Sequence, residues 1–78
     1  MGDVRMTRVE LDGDQVDAVR ITDGDARCTY AVVVEVVNAV PRVRYLTVRP
    51  FHGAQPPAQI PWKTLATEAA RHLGHLRE

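Results

Sequence analysis

Apolar and polar residues alternate along most of the first fifty positions of the chain. The alternation is clear at residues 7–11, 16–22, 27–40 and 43–49. A period of two is typical of strands that bury one face and expose the other. In the longest run the even positions from 28 to 36 are all apolar, so we expect that face to point to the core. The sequence therefore predicts four strands within about residues 4–49.

Short breaks separate these predicted strands. The sequence DGD occurs at residues 12–14 and again at 23–25. Asp-Gly pairs favour tight hairpins, because a type I′ turn needs positive φ angles that these residues tolerate. The third break, at residues 38–42, contains Pro41, which cannot donate a hydrogen bond to a central ladder. Three short connections between consecutive strands predict an antiparallel meander.

The rest of the chain predicts a loop and then a helix. Residues 50–61 hold four of the five prolines and have no periodicity, which is typical of a semi-rigid loop. From about residue 61 to about residue 76, apolar residues recur at spacings of three and four, which predicts one amphipathic helix. Its expected anchors on the sheet are Trp62, Leu65, Ala69 and Leu73.

The length of 78 residues allows a single domain over residues 1–78. The predicted fold class is α+β: a four-stranded antiparallel β-meander with one C-terminal amphipathic helix packed on one face. No cofactor and no catalytic residue is predicted, because the chain contains no phosphate loop, serine elbow or paired-carboxylate motif. We expect a cytoplasmic protein that is not an enzyme.

One helix covers only one face of such a sheet, yet the third and fourth predicted strands carry apolar residues on both faces. The uncovered side is expected to form a partner interface, because monomers seldom expose a large apolar patch. This favours a non-catalytic interaction or dimerisation module, in a homodimer or a larger assembly. The alternative is that strand twist and the proline-rich loop cover these side chains. The expected interface residues are Val33, Val37, Tyr45 and Leu46.

The charges cancel overall but are unevenly distributed. Ten Lys and Arg residues balance ten Asp and Glu residues, which argues against a protein devoted to gripping phosphate backbones. Residues 1–25 hold seven acids and three arginines, a net charge of −4, whereas residues 26–49 hold four arginines and one acid, a net charge of +3. The acidic end and the arginine-rich middle could meet head to tail or across a dimer.

A nucleic-acid-binding sheet is the second hypothesis. Arg42, Arg44 and Arg49 form the most basic stretch of the chain, and Tyr45 lies among them. Sheets can bind nucleic acid with basic side chains and stack bases on exposed aromatic rings. Against this stands the low number of aromatic residues, four in all. Arginines on a solvated edge strand also protect that edge from aggregation.

Metal binding is the third hypothesis, and it has the least support. Glu68, His72 and His75 would lie within two turns of the predicted helix, and His52 could approach from the loop. Their spacing differs from the HExxH motif of zinc enzymes. The two DGD segments lack the ligand array of a calcium loop. The single cysteine, Cys28, is expected in the core as inert packing.

Two segments resemble a known kind of module. The sequence RYLTVRP at residues 44–50 and the sequence IPWKTLA at residues 60–66 are similar to small actinobacterial proteins of uncharacterised function. In those proteins a Leu-Thr-Val strand leads to a helix that starts with Ile-Pro, and a helix-turn-helix segment often follows. The resemblance implies a part of a bacterial regulatory protein and transfers no functional residue.

Overall fold

The computed structural model describes residues 2–75 and contains one antiparallel sheet and one helix. The strands follow one another across the sheet in chain order, and each pairs with the next. This confirms the predicted α+β meander. The elements are β1 (Val4–Leu11), β2 (Asp14–Asp23), β3 (Cys28–Val37), β4 (Val40–Pro50) and α1 (Trp62–His72).

Two of the three hairpins close with two-residue turns. In the β1–β2 turn, Asp12 and Gly13 have φ angles of 54° and 83°. In the β3–β4 turn, Asn38 and Ala39 have φ angles of 52° and 63°. Positive φ at both central residues is the signature of a type I′ turn, whose twist matches that of the strands. Ala39 therefore holds a Cβ atom in a region of backbone conformation that favours glycine.

The β2–β3 connection differs from the tight turn that the second DGD segment predicts. It spans residues 24–27, and the only positive φ within it is that of Arg27, at 56°. The Asp23 side chain determines its shape, because Oδ1 accepts hydrogen bonds from the backbone N–H groups of Asp25 (3.0 Å) and Ala26 (3.1 Å). A short acceptor side chain at the start of a turn replaces backbone partners in this way.

The third turn is shorter than the predicted break at residues 38–42. Pro41 lies inside β4, opposite Val36. A proline is tolerated there because β4 is an edge strand, whose outer side needs no backbone donor. The register of β4 shifts by one residue beside Val33 and Val34, which leaves Arg44 as the extra residue of a bulge.

The helix packs on one face of the sheet, mainly against β4 and β3. The even positions of β3 face α1, as the alternation predicts. Four residues of the helix complete this core. The side chains buried between the two layers include Val19, Ile21, Cys28, Tyr30 and Val32 from the sheet and Leu65, Ala66, Ala69 and Ala70 from the helix.

The predicted set of helix anchors is partly wrong. Leu65 and Ala69 are buried and Leu73 packs against the core, but Trp62 is 54% exposed. Ile60, which precedes the helix, packs against the core at this end instead. Leu76, the last position of the predicted apolar stripe, lies outside the described residues.

The proline-rich loop begins beside the β2–β3 connection and ends at the helix-side core. The backbone N–H of Phe51 donates to the carbonyl of Arg27 (2.9 Å), and Ile60 reaches the core at the other end of the loop. Within residues 2–75, no helix is long and apolar enough to cross a membrane.

Candidate functional site: a groove on the open face of the sheet

The face of the sheet opposite α1, which we call the open face, has a polar half and an apolar half. The strand registers place arginines and threonines near the β2–β3 turn and aliphatic residues near the other two turns. The polar half contains Arg5, Arg20, Arg49, Thr7, Thr22, Thr29 and Thr47. The apolar half contains Val9, Leu11, Val16, Val33, Val37, Val40 and Tyr45.

A groove of about 440 Å³ lies on the polar half. The small side chain of Ala31 is among its lining residues, and four threonines, one on each strand, supply hydroxyl groups. No residue of the proline-rich loop lines it. The charged residues that line it are Asp3, Arg8, Arg20 and Arg49.

The arginines around the groove fall into two classes. Arg5 Nε donates to Asp3 Oδ2 at 2.7 Å, and Arg8 lies 3.5 Å from Asp17. Both pairs are exposed to solvent, so each adds little to stability. Arg20 and Arg49, by contrast, form no ion pair with any residue between 2 and 75. Their guanidinium groups are available to an anion from outside the chain.

The register adds a repulsive contact to this site. Arg5 and Arg20 are direct partners across β1 and β2, and both side chains belong to the open face. Like charges placed directly opposite each other on two strands are destabilising. Asp3 offsets part of that repulsion through its ion pair with Arg5, and an anion bound near Arg20 would offset more of it.

The structure separates the three arginines of the nucleic-acid hypothesis. Arg49 lines the groove, Arg42 lies on the apolar half opposite Glu35, and Arg44 is the bulge residue at the edge. Sequence reasoning missed Arg20, because it lies in the acidic first third of the chain. The alternation of β2 does predict its face: Arg20 precedes the core residue Ile21, so its side chain points away from the core. That Arg20 lies near Arg49 follows only from the register of β2, β3 and β4.

The predicted partner surface does not form as one patch. Leu46 lies opposite Val32 and packs against the helix-side core, so it is on the other face of the sheet. Val33 is on the open face but only 6% exposed. Neighbouring side chains cover the centre of the open face, so the exposed apolar area of this face is smaller than the sequence predicts. Val37 and Tyr45 remain, the first exposed and the second half-buried.

The metal hypothesis gains no cluster of ligands from the described part of the chain. Between residues 2 and 75, no three His, Cys, Asp or Glu side chains lie close enough together to hold a metal ion. Glu68 instead accepts a hydrogen bond from Arg71 at 3.1 Å. His52, His72 and His75 are exposed.

One buried polar side-chain atom lies in the helix-side core. Tyr30 is fully buried, and its hydroxyl forms no hydrogen bond to a nitrogen or oxygen atom of the described residues, with only the weakly polar thiol of Cys28 as a neighbour. Burial raises the pKa of Tyr30 far above its usual range, and the neighbouring Cys28 and Asp23 raise it further. Tyr30 lies on the helix-side face, away from the groove, so its hydroxyl affects the stability of the fold and does not line the groove.

Comparison of the chain with protein-family models, with curated proteins and with solved structures gave no match. The resemblance to the actinobacterial module stays a prediction. The geometry of the open face is therefore the basis for assigning a function.

Proposed function

We propose that this protein is a non-catalytic binding module that holds the backbone of a single-stranded nucleic acid in the groove of the open face. One observation carries the proposal: Arg20 and Arg49 line the same groove without a carboxylate partner among residues 2–75. Guanidinium groups bind phosphate with paired, charge-assisted hydrogen bonds.

The remaining lining suits a sugar-phosphate chain. Thr22, Thr29 and Thr47 offer hydroxyl groups that donate to phosphate oxygens or to sugars. Tyr45 lies on the same face of β4 as Thr47 and Arg49, where a half-buried ring gives one base a surface to stack on. A groove of this size fits a single strand, and the chain lacks the net positive charge typical of duplex binders.

Most of the acidic residues lie away from the groove. Asp23 and Asp25 are at the near end of the sheet, but neither lines the groove, and the Asp23 side chain accepts hydrogen bonds within its own turn. Asp12 and Asp14 are at the β1–β2 turn, the end of the sheet opposite the row of Thr22, Thr29 and Arg49. Asp3, which lines the groove, is neutralised by Arg5. The uneven charge of the sequence thus becomes a local positive region on a neutral molecule.

Fluorescence anisotropy with a labelled oligothymidylate of about 15 nucleotides tests the proposal. We expect binding at low salt that weakens as salt rises, with a slope of about −0.7 in log K per phosphate contact. The double variant Arg20→Ala/Arg49→Ala should lose at least tenfold in affinity and have a shallower salt slope. Lys63→Glu is the matched control, because it lowers the net charge by the same two units on the exposed side of the helix and should leave the affinity unchanged. Equal affinity of the double variant and the wild type would exclude the groove.

Self-association is a second candidate function, supported by one feature of the apolar half. Val37 and Val40 face each other across the β3–β4 turn and are 45% and 52% exposed. Aliphatic pairs with that exposure at a hairpin tip gain free energy when a second surface covers them. A dimer or larger assembly would then form around this end of the sheet.

A further inference from the structure

We propose that the ion pair between Asp3 and Arg5 is autoinhibitory: the Asp3 carboxylate withholds Arg5 from phosphate and so limits the affinity of the groove. This inference rests on the proposed function and specifies a regulation of the same site. One carboxylate, that of Asp3, lines a groove whose other charged lining residues are all arginines. A negative charge in that position competes with a phosphate group for the same cations.

The backbone fixes Asp3 at the rim of the groove. The N–H of Gly2 donates to the carbonyl of Thr22 (3.1 Å), and the N–H of Thr22 donates to the carbonyl of Asp3 (2.8 Å). Gly2 approaches Thr22 so closely that an added Cβ atom would lie 2.6 Å from its carbonyl oxygen. These contacts tie the segment before β1 to β2, so the Asp3 carboxylate stays beside the groove.

Arg5 lies between two residues that line the groove but does not line it. Asp3 and Thr7 flank Arg5 at alternate positions along the chain, and alternate side chains of an extended strand point to the same face. The Arg5 Nε donates to Asp3 Oδ2 at 2.7 Å, a distance typical of a charge-assisted hydrogen bond. The ion pair holds the guanidinium group at Asp3 and leaves the groove with one cation fewer.

Arg5 is well placed to bind phosphate once it is released. It is the direct partner of Arg20 across β1 and β2, on the same face of the sheet. Side chains of direct cross-strand partners lie close enough to share one acceptor. A phosphate bound at Arg20 is therefore within reach of the Arg5 guanidinium, and it would replace the Asp3 carboxylate as the acceptor.

The exposure of the pair sets the size of the effect. The side chains of Arg5 and Asp3 are 65% and 55% exposed. Exposed ion pairs contribute little free energy because water screens them. The pair therefore lowers the affinity of the groove without closing it to a nucleic acid.

Fluorescence anisotropy with the labelled oligothymidylate of about 15 nucleotides, over a series of low salt concentrations, tests the inference. Asp3→Asn should bind about three to five times more tightly than the wild type, because it releases Arg5. Its slope of log K against log salt should be steeper by about 0.7, the contribution of one further phosphate contact to a single strand. Adding Arg5→Ala to Asp3→Asn should abolish the steeper slope and the gain in affinity.

The matched control is Asp12→Asn, which removes the same charge at the β1–β2 turn, far from the groove. Asn suits the type I′ turn at that position, where φ is 54°. This variant should bind like the wild type. Equal gains for Asp12→Asn and Asp3→Asn would reduce the effect to net charge and overturn the inference. Circular dichroism establishes that each variant is folded.

The alternative is that the Asp3 carboxylate binds the strand directly, by accepting a hydrogen bond from a base amino group. Oligodeoxyadenylate carries such groups and oligothymidylate does not. The inference predicts the same gain for Asp3→Asn with both probes, and a loss of affinity for oligodeoxyadenylate would overturn it.

The failure of this inference is distinguishable from the failure of the proposed function. If Arg20→Ala/Arg49→Ala weakens binding but Asp3→Asn does not strengthen it, the groove stands and the autoinhibitory pair is wrong. If neither the wild type nor Asp3→Asn binds the oligonucleotide at low salt, both proposals fail.

Discussion

At the scale of single residues, the tight turns of the sheet require positive φ angles that are unfavourable for residues other than glycine. Ala39 is the clearest case, because its φ of 63° places a Cβ atom in the left-handed region. That conformation costs a non-glycine residue about 1 kcal/mol. The corresponding position of the β1–β2 turn is occupied by Gly13, with φ of 83°. The two type I′ turns of one sheet therefore form a natural comparison.

We predict that Ala39→Gly raises the free energy of unfolding by up to about 1 kcal/mol, because glycine adopts the type I′ geometry without strain. In a domain of this size that corresponds to a rise in Tm of about 4–8 °C. Thermal unfolding followed by circular dichroism measures it. Gly13→Ala should shift Tm in the opposite direction, although a new Cβ there meets no atom within 4 Å. A fall in Tm with Ala39→Gly would contradict the turn assignment.

The buried hydroxyl of Tyr30 makes a second prediction at this scale. A buried polar group without a partner lowers stability by about 1–3 kcal/mol, so Tyr30→Phe should leave the free energy of unfolding unchanged or raise it. Urea unfolding at pH 7 measures this effect. The matched control is Tyr45→Phe, whose half-buried ring lies on the open face and whose hydroxyl should matter little. Loss of more than about 1 kcal/mol in Tyr30→Phe would show a hydrogen bond that the structure lacks.

The raised pKa of Tyr30 also predicts a dependence on alkaline pH. An unfolded tyrosine ionises near pH 10, whereas burial keeps Tyr30 protonated above that pH in the folded protein. The unfolded state therefore binds fewer protons, and stability falls by up to about 1.4 kcal/mol per pH unit above pH 10. Below pH 10 Tyr30 is protonated in both states, so its burial adds no pH dependence to the free energy of unfolding. Urea unfolding between pH 9 and pH 11 should show a shallower decline for Tyr30→Phe than for the wild type, and equal slopes would contradict burial of the phenol.

At the scale of elements, the alternation of residues predicted most of the fold. The odd and even positions of β3 separated correctly into two faces, because a strand has a fixed period of two. Pro41 was misplaced because its effect depends on whether the strand is at the edge, which the local sequence does not state. Arg20 was missed for a related reason: its face followed from the alternation, but its groove depends on which residues of β3 and β4 lie alongside.

The helix shows the same limit. A spacing of three and four residues made Trp62 part of the apolar stripe, yet the structure leaves it exposed at the first turn. The apolar stripe is a property of the helix alone, whereas the burial of each side chain depends on the position at which the loop places the helix on the sheet. Ile60 reaches the core just before the helix begins, and Trp62 remains in solvent.

This difference makes a prediction about α1. Leu65→Ala should lower the free energy of unfolding by about 2–5 kcal/mol, because Leu65 is fully buried between helix and sheet. Trp62→Ala should lower it by less than about 1 kcal/mol despite the larger side chain, because surface substitutions have small effects. Urea unfolding of both variants measures the contrast. A larger loss for Trp62→Ala than for Leu65→Ala would mean that the helix packs with a different face.

At the scale of the whole molecule, the core lies on one face of the sheet and the proposed binding groove lies on the other. The helix side contains the core, while the open face carries exposed arginines and threonines that are half-buried, apart from the exposed Thr47. Composition alone argued against a phosphate-binding protein because the formal net charge is zero. The topology supports the proposed binding instead, since it places Arg20 and Arg49, which form no ion pair within residues 2–75, in one groove and the acids of the β1–β2 turn at the far end.

The most direct measurement of the central claim is a titration of ¹⁵N-labelled protein with a short oligothymidylate at low salt, followed by amide chemical shifts. The groove predicts saturable changes concentrated at Arg20, Thr22, Thr29, Thr47 and Arg49, with small changes along α1. Changes centred on the helix, or none at saturating oligonucleotide, would contradict nucleic-acid binding on the open face.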